Sequence, residues 1–243
     1  MAKKNILIKL TVVFSAIILG YINFRQGYKS IVTFMKDNNI ILYKEAVFNR
    51  IFVNTDFVNL EYMEGNSLFH FISPFSFYAL SVFWGSCSYL MTKKSYHQFL
   101  FSRTELQKES LKIIRGNYIK MIALFNSLYV LSILFFIYFS ELLIEHHFIK
   151  LLMMSFILII SSTLISMGIS SISFYFYLKY DESISQLITL ISIMFIFILD
   201  LKWDRMSVVF IDQDKYFLGG ISIGIGLILI SYFLNKNIKY EID

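Results

Sequence analysis

The stretch KKSYHQFLFSRTELQKESLKIIRGNYIK, residues 93–120, separates two strongly apolar parts of the chain. It contains few acids and many basic residues, namely Lys93, Lys94, Arg103, Lys108, Lys112, Arg115 and Lys120. Ser102 and Glu105 have the spacing of a capping box, in which each side chain accepts a hydrogen bond from an unpaired backbone N–H at a helix start. The sequence therefore predicts a short helix over residues 105–115, ended by Gly116.

The predicted helix is amphipathic. At 3.6 residues per turn, one arc carries the charges and another arc is apolar. The charged arc consists of Glu105, Lys108, Glu109, Lys112 and Arg115, and the apolar arc of Leu106, Ile113 and Ile114. Two interpretations remain open: a basic loop that only orients the chain in a membrane, or a helix that docks on a partner.

The composition places the chain in a bilayer. Of its 243 residues, 57% are hydrophobic and only 16% are charged, and the mean hydropathy is +0.64. A soluble domain of this size cannot bury so much apolar surface. The net charge of +5 does not indicate nucleic-acid binding, because the basic residues lie at the ends of apolar runs. With a single cysteine, Cys87, inside an apolar run, neither a disulfide framework nor a cysteine metal site is expected.

Six apolar runs predict an all-α, polytopic membrane protein with six transmembrane helices in one domain, residues 1–243. The runs cover residues 5–24, 68–91, 121–139, 148–174, 184–199 and 217–234. Residues 25–66 contain only short apolar islands, so we expect an extracytoplasmic insertion of one or two small helices there. Residues 200–215 alternate charged and apolar side chains, which favours half-buried structure covered by protein. Lys179, Asp181 and Glu182 mark a tight turn between the fourth and fifth runs.

The distribution of basic residues predicts the orientation. With both termini inside, 13 of the 22 Lys and Arg residues lie on the cytoplasmic side. Most of this excess comes from residues 93–120, and such an excess is typical of cytoplasmic loops. We therefore expect the N-in, C-in topology, with the short helix between spans two and three on the inside.

The sequence offers little for chemistry inside the membrane. No Asp or Glu lies within a predicted span, whereas ion-driven transporters and intramembrane enzymes need ionisable groups at depth. The chain also has no G-x-x-x-x-G-K-[ST] phosphate loop, so we expect no enzyme activity and no bound cofactor in this chain. The cluster of Glu141, Glu145, His146 and His147 has groups that bind zinc, although such residues are more often part of a loop; we predict no metal site.

Small residues form stripes on two predicted helices. Ser162, Ser166 and Ser170 share a narrow arc of the fourth helix, and Gly220 and Gly224 form a G-x-x-x-G pattern in the sixth. Small residues let helices approach closely in lipid, where packing drives association. These stripes predict helix packing within one bundle or at a dimer interface.

The arrangement resembles ABC-2-type permeases, the membrane subunits of type V ABC exporters. The resemblance rests on six spans, a basic amphipathic helix after span two and a half-inserted segment before span six. Ser102-Arg103 is similar to the Ser-Arg pair of that family, although Leu100-Phe101 stands where a proline is often found. The abundance of Ile, Lys, Asn and Phe is typical of an AT-rich Gram-positive genome, where such permeases export peptides.

The resemblance implies a function and a set of partners. The helix after span two would be the coupling helix, binding a cytoplasmic ABC ATPase through Ser102, Arg103, Glu105, Leu106, Glu109 and Ile113. ATP and Mg²⁺ would bind in that ATPase, and a second permease copy or homologue would complete the exporter in the bacterial cell membrane. An amphipathic peptide, as in phenol-soluble-modulin exporters, would cross along the aromatic residues Phe77, Phe83 and Trp84. A stand-alone membrane protein that gives immunity to a peptide toxin remains the alternative.

Overall fold

A computed structural model describes residues 2–52, 68–90, 104–140, 148–202 and 218–236. These residues form helices and contain no strand. The helices are α1 (Ala2–Asn38), α2 (Glu45–Phe52), α3 (Leu68–Leu90), α4 (Thr104–Tyr138), α5 (Phe148–Lys179), α6 (Glu182–Lys202) and α7 (Leu218–Lys236). The predicted all-α class is confirmed for the described part of the chain.

Four helices contain stretches that are long and apolar enough to cross a bilayer. These stretches are Ile6–Asn38, Lys112–Tyr138, Ile149–Lys179 and Glu182–Leu199. The apolar part of α7, Gly219–Leu234, is shorter, and the described part of α3 is not among the four. The protein is therefore a multi-pass helical membrane protein, whereas the count of six spans remains a prediction.

Side-chain contacts show that the long helices alternate in direction. Tyr118 and Asn126 of α4 contact Ser171 and Ser162 of α5, so these two helices are antiparallel. Ring contacts between α3 and α4 also run in opposite order along the chain, whereas α1 is parallel to α4, and α7 to α5. The starts of α1 and α4 and the ends of α3, α5 and α7 consequently lie at one end of the bundle.

We call this end the basic end and the opposite one the α2 end. The start of α1 and the end of α7 lie at the same end of the bundle, whereas the N-in, C-in topology itself remains a prediction. The side that faces the cytoplasm remains a prediction from the charges.

Helix α1 is longer than the first apolar run, because it continues through residues 25–38 as a single helix of about 55 Å. It ends where Asn39 adopts a left-handed conformation with φ of 55°. The Ile40 N–H then donates to the Met35 carbonyl at 3.2 Å, which is the pairing of a Schellman cap.

Helix α2 folds back into the bundle. Its apolar residues are Val47, Phe48, Ile51 and Phe52, and all four are buried among α1, α3 and α4. Ile51 lies beside Gly27 of α1, and the Phe52 ring meets the rings of Phe77 and Tyr129. The described part of the expected insertion, residues 25–52, is thus an extension of α1 and a helix packed in the core rather than a separate cap.

Helix α4 contradicts the predicted stop at Gly116. The helix runs without a break from Thr104 to Tyr138, so the expected short helix and the third apolar run form one element. A glycine ends a helix when it adopts a left-handed conformation, and Gly116 does not. Within a helix it costs only about 1 kcal/mol relative to alanine, which the packing of Ile114 and Tyr118 on either side offsets.

The predicted tight turn between α5 and α6 is confirmed. Helix α5 ends at Lys179 and α6 begins at Glu182. The Asp181 carboxylate accepts a hydrogen bond of 2.8 Å from the Ile184 N–H, which caps the start of α6. Helix α6 is longer than the predicted 184–199 run, and residues 203–217 lie outside the described structure.

The interior of the bundle contains two apolar clusters. The larger one extends from α2 through the middle of the bundle, and the smaller one lies at the basic end. The smaller cluster consists of Tyr89, Tyr118, Ile122, Phe174, Tyr177 and Leu178. Between these aromatic layers, α3, α4 and α5 contact each other through polar side chains.

Candidate functional site

The polar contacts in the middle of the bundle form what we call the serine seam, made of Ser81, Asn126, Ser162, Ser166 and Ser170. Ser81 of α3 donates to Ser166 of α5 at 2.9 Å. The Asn126 amide of α4 donates to Ser162 and to Thr163 of α5, each at 3.3 Å. The seam thus joins α5 to both α3 and α4 through neutral groups.

Two atoms of the seam have no hydrogen-bond partner among the described residues. These are the Asn126 Oδ1 and the Ser170 Oγ, and both side chains are 0% exposed. Buried polar groups are normally paired, because an unpaired one costs about 1–3 kcal/mol. Ser170 lies beside Gly85 of α3, where an added Cβ would meet its Oγ at 2.8 Å. The seam therefore holds more hydrogen-bonding capacity than its present pairs use.

A second polar contact lies nearer the α2 end. The Asn23 amide donates to the Tyr129 hydroxyl at 2.5 Å and to the Ser73 carbonyl at 3.4 Å. Asn23 is buried inside the first apolar run, where sequence analysis singled out no polar residue. An asparagine within an apolar run was the available signal, because amide groups often join helices within a membrane.

The interior is polar but uncharged. Apart from tyrosine hydroxyls and the Cys87 thiol, every buried polar side chain in the described part is an Asn or a Ser. Such groups exchange hydrogen bonds between helices, but they supply neither a general acid nor a general base. The described residues also contain no group of His, Cys, Asp or Glu able to hold a metal ion, and the sequence cluster at 141–147 lies outside them.

The basic end presents the first turns of α4. Glu105, Leu106 and Glu109 lie within them, whereas Ser102 and Arg103 lie outside the described residues. Ile113 is 64% exposed, but Ile114 packs against the smaller cluster. The predicted apolar arc is therefore divided between the bundle interior and the surface.

The start of α4 projects from the bundle. Tyr118 lies level with Ser171, to which its hydroxyl is hydrogen-bonded at 2.7 Å. At 1.5 Å per residue, α4 continues about 21 Å from Tyr118 to Thr104, whereas α5 continues about 12 Å from Ser171 to Lys179. The amphipathic stretch thus extends roughly 9 Å past the end of α5, at the end of the bundle where α1 begins and α7 ends.

The aromatic residues expected to line a substrate path do not share a surface. Phe77 is fully buried and stacks on Tyr129 with ring centroids 4.5 Å apart. Phe83 is 51% exposed on the outside of α3, and Trp84 is half-buried beside it. Only Phe83 and Trp84 lie close together, so the three residues do not form one path.

The small-residue stripes are used within the chain. Ser162, Ser166 and Ser170 face α3 and α4 in the seam. Gly224 of α7 lies against Leu164 of α5, where an added Cβ would be 2.6 Å from the leucine Cβ, and Gly220 is buried on the same face. Packing within one bundle thus accounts for both stripes, and their use in a dimer remains untested.

The bundle and its seam define a multi-pass helical membrane protein with a neutral, hydrogen-bonded interior. No protein-family model matches the sequence, and no curated protein or solved structure matches it either. Functional inference therefore rests on the contacts of this chain.

Proposed function

We propose that the chain is the membrane subunit of an ATP-driven exporter, which moves amphipathic or hydrophobic peptides out of a bacterial cell. ATP hydrolysis takes place in a separate cytoplasmic ABC ATPase, and a second permease subunit completes the transporter. The observation that carries the proposal is the projecting start of α4. This basic, amphipathic stretch extends past the end of α5, at the end of the bundle where α1 begins and α7 ends.

The hydrogen bonds that join α4 to the rest of the bundle support the proposal. A helix that docks an ATPase must transmit movement into the membrane, and α4 is continuous from Thr104 into the bundle core. Its residues Tyr118, Asn126 and Tyr129 hydrogen-bond to α5 and α1. Movement of the projecting turns would therefore reach the interior through a single rigid element.

The docking of α4 can be tested by replacing Leu106 and Ile113 together with Asp. We expect loss of the ATPase in a pull-down from membranes, because a buried carboxylate would be desolvated at an apolar contact, which costs several kcal/mol. The bundle should still fold, since Ile113 is exposed and Leu106 lies about 18 Å before Tyr118 along α4.

The matched control is Asn117→Asp, which adds a carboxylate on an exposed position of the same helix without removing an apolar side chain. This variant should retain the ATPase. Undiminished binding by the Leu106/Ile113 double variant would exclude docking through α4 and leave the basic segment as an orientation signal.

The second candidate function is a stand-alone membrane protein that confers immunity to a peptide toxin. It is favoured by the continuity of α4, since the resemblance to exporters implied a separate short helix after span two. Expression of this chain alone, without an ATPase, should then protect sensitive cells from the toxin. A gene for an ATPase next to this one would favour the exporter, and a toxin gene without an ATPase would favour immunity.

A further inference from the structure

The helices form two groups that differ in how their members pack. One group contains α5 and α7, which pack closely together. Leu164 packs against Gly224, and Leu227 packs against Gly168. Helix α6 is joined to α5 by the tight turn and by the contact of Ser173 with Thr189. These close contacts indicate that α5, α6 and α7 move as one body, which we call the second half. Helices α1 to α4 form the first half.

The two halves meet through the serine seam and through ring contacts, such as that of Tyr89 with Phe174 and that of Tyr78 with Phe197. Ser162, Ser166 and Ser170 are spaced by four residues on α5 and form three hydroxyl rungs, whereas the first half supplies two partners. Ser162 pairs with Asn126 and Ser166 pairs with Ser81. Ser170, the third rung, is fully buried and has no partner among the described residues.

The spacing of the three serines would also fit a second register, meaning a second alignment of α5 with Ser81 and Asn126. Four residues of a helix span about 6 Å, or roughly one turn. If the second half moved by that distance toward the α2 end, Ser166 would face Asn126 and Ser170 would face Ser81. Both hydrogen bonds between the rungs and their partners would be made again, and Ser162 would become the unused rung.

The opposite movement is not equivalent. It would bring Ser162 to Ser81, but it would place Leu158 opposite Asn126 and leave the buried amide without a rung. The three serines therefore allow a one-turn shift in one direction only. The present register has further hydrogen bonds, from Asn126 to Thr163, between Tyr118 and Ser171 and between Tyr89 and Ser185, and these make it the resting one.

We propose that the second half slides by one helical turn along the serine seam, which gives the protein two registers with the same rung pairing. One-turn shifts of one packed helix past another are an established kind of two-state movement. Neutral hydroxyls suit such a movement, because their hydrogen bonds within a membrane are worth only about 0.6 kcal/mol on average. The inference goes beyond export and needs neither substrate nor ATPase.

Pairs of cysteines distinguish the registers in native membranes. In a Cys87→Ser background, Ser81→Cys is combined with Ser166→Cys for the present register, with Ser170→Cys for the shifted register, or with Ser162→Cys as the control. Positions 162 and 170 lie equally far from 166, so random fluctuation would link both to position 81 to the same extent. A membrane-permeant oxidant forms the disulfides, and peptide mapping by mass spectrometry measures their yields.

We expect the 81–166 disulfide to form readily, because the two hydroxyl oxygens are 2.9 Å apart and a disulfide needs closely opposed side chains. The 81–170 disulfide should form more slowly, but with a yield about threefold above that of 81–162, the ratio that one lost hydrogen bond of average strength within a membrane produces. Equal yields at 170 and 162, or no 81–170 disulfide, would overturn the proposal, as would failure of 81–166 to form.

A transport measurement separates this inference from the proposed function. If the chain is an exporter, oxidation of the 81–166 pair should stop peptide export and reduction should restore it. Export that continues in the oxidised protein would contradict a sliding step while leaving the exporter proposal intact. Absence of export from the wild-type protein would contradict the exporter, while the disulfide yields would still decide between one register and two.

Discussion

Gly224 and Gly226 of α7 are two residues apart but have opposite surroundings. A Cβ on Gly224 would lie 2.6 Å from the Leu164 Cβ and 3.1 Å from the backbone of α5, whereas a Cβ on Gly226 would meet nothing within 4 Å. Backbone atoms cannot move aside as a flexible side chain does. The close approach of α7 to α5 thus requires a glycine at position 224 but not at position 226.

This difference gives a prediction at the residue scale. Gly224→Ala should lower thermal stability by about 1–3 kcal/mol, because the added methyl group overpacks the contact with Leu164. Gly226→Ala should leave stability unchanged or raise it by up to about 1 kcal/mol, since alanine favours the helix. Thermal unfolding of the two detergent-solubilised variants measures both effects, and equal stabilities would show that α5 and α7 do not interlock here.

At the scale of elements, α2 stands out because its eight residues contribute four buried apolar side chains to the core. A helix of this length is not stable in isolation, so it is held by its contacts with α1, α3 and α4. The Lys44 ammonium donates to the Tyr138 carbonyl at 2.7 Å and anchors the start of α2 near the end of α4. Helix α2 is therefore part of the bundle rather than a surface feature.

Replacing Phe52 with Ala tests this role. We expect a loss of about 3–5 kcal/mol, because the ring is fully buried against Phe77 and Tyr129. The control is Phe233→Ala on α7, where the ring is 63% exposed and faces the surface that lipid covers. Similar melting temperatures for the two variants would place α2 outside the packed core.

At the scale of the whole molecule, the alternating helices put the start of α1 and the end of α7 at the basic end. The excess of Lys and Arg predicts that this end faces the cytoplasm. Asp37 and Asn117 are exposed positions at opposite ends of the bundle, on α1 and α4. They serve to determine the orientation in a living cell.

Single cysteines at these positions, in a Cys87→Ser background, test the predicted orientation. A membrane-impermeant thiol reagent should label Asp37→Cys in intact cells, but it should label Asn117→Cys only after the cells are broken. Labelling of Asn117→Cys from outside would reverse the predicted orientation and place the projecting turns of α4 outside the cell.

The sequence alone determined the all-α class, the membrane location and the turn at residues 179–182. These features depend on hydropathy over windows of about 20 residues and on local capping, which require no knowledge of distant contacts.

Only the tertiary structure decided which faces of the helices meet. Asn23 and Tyr129 are 106 residues apart in sequence, yet their hydrogen bond joins α1 to α4. Residues close in sequence can also have different surroundings. Phe77 is buried in the core, whereas Phe83 on the same helix faces outward. Gly116 remains helical because residues on either side of it pack against helices α3 and α5. Helix propensity depends only on the local sequence and therefore does not include these tertiary contacts.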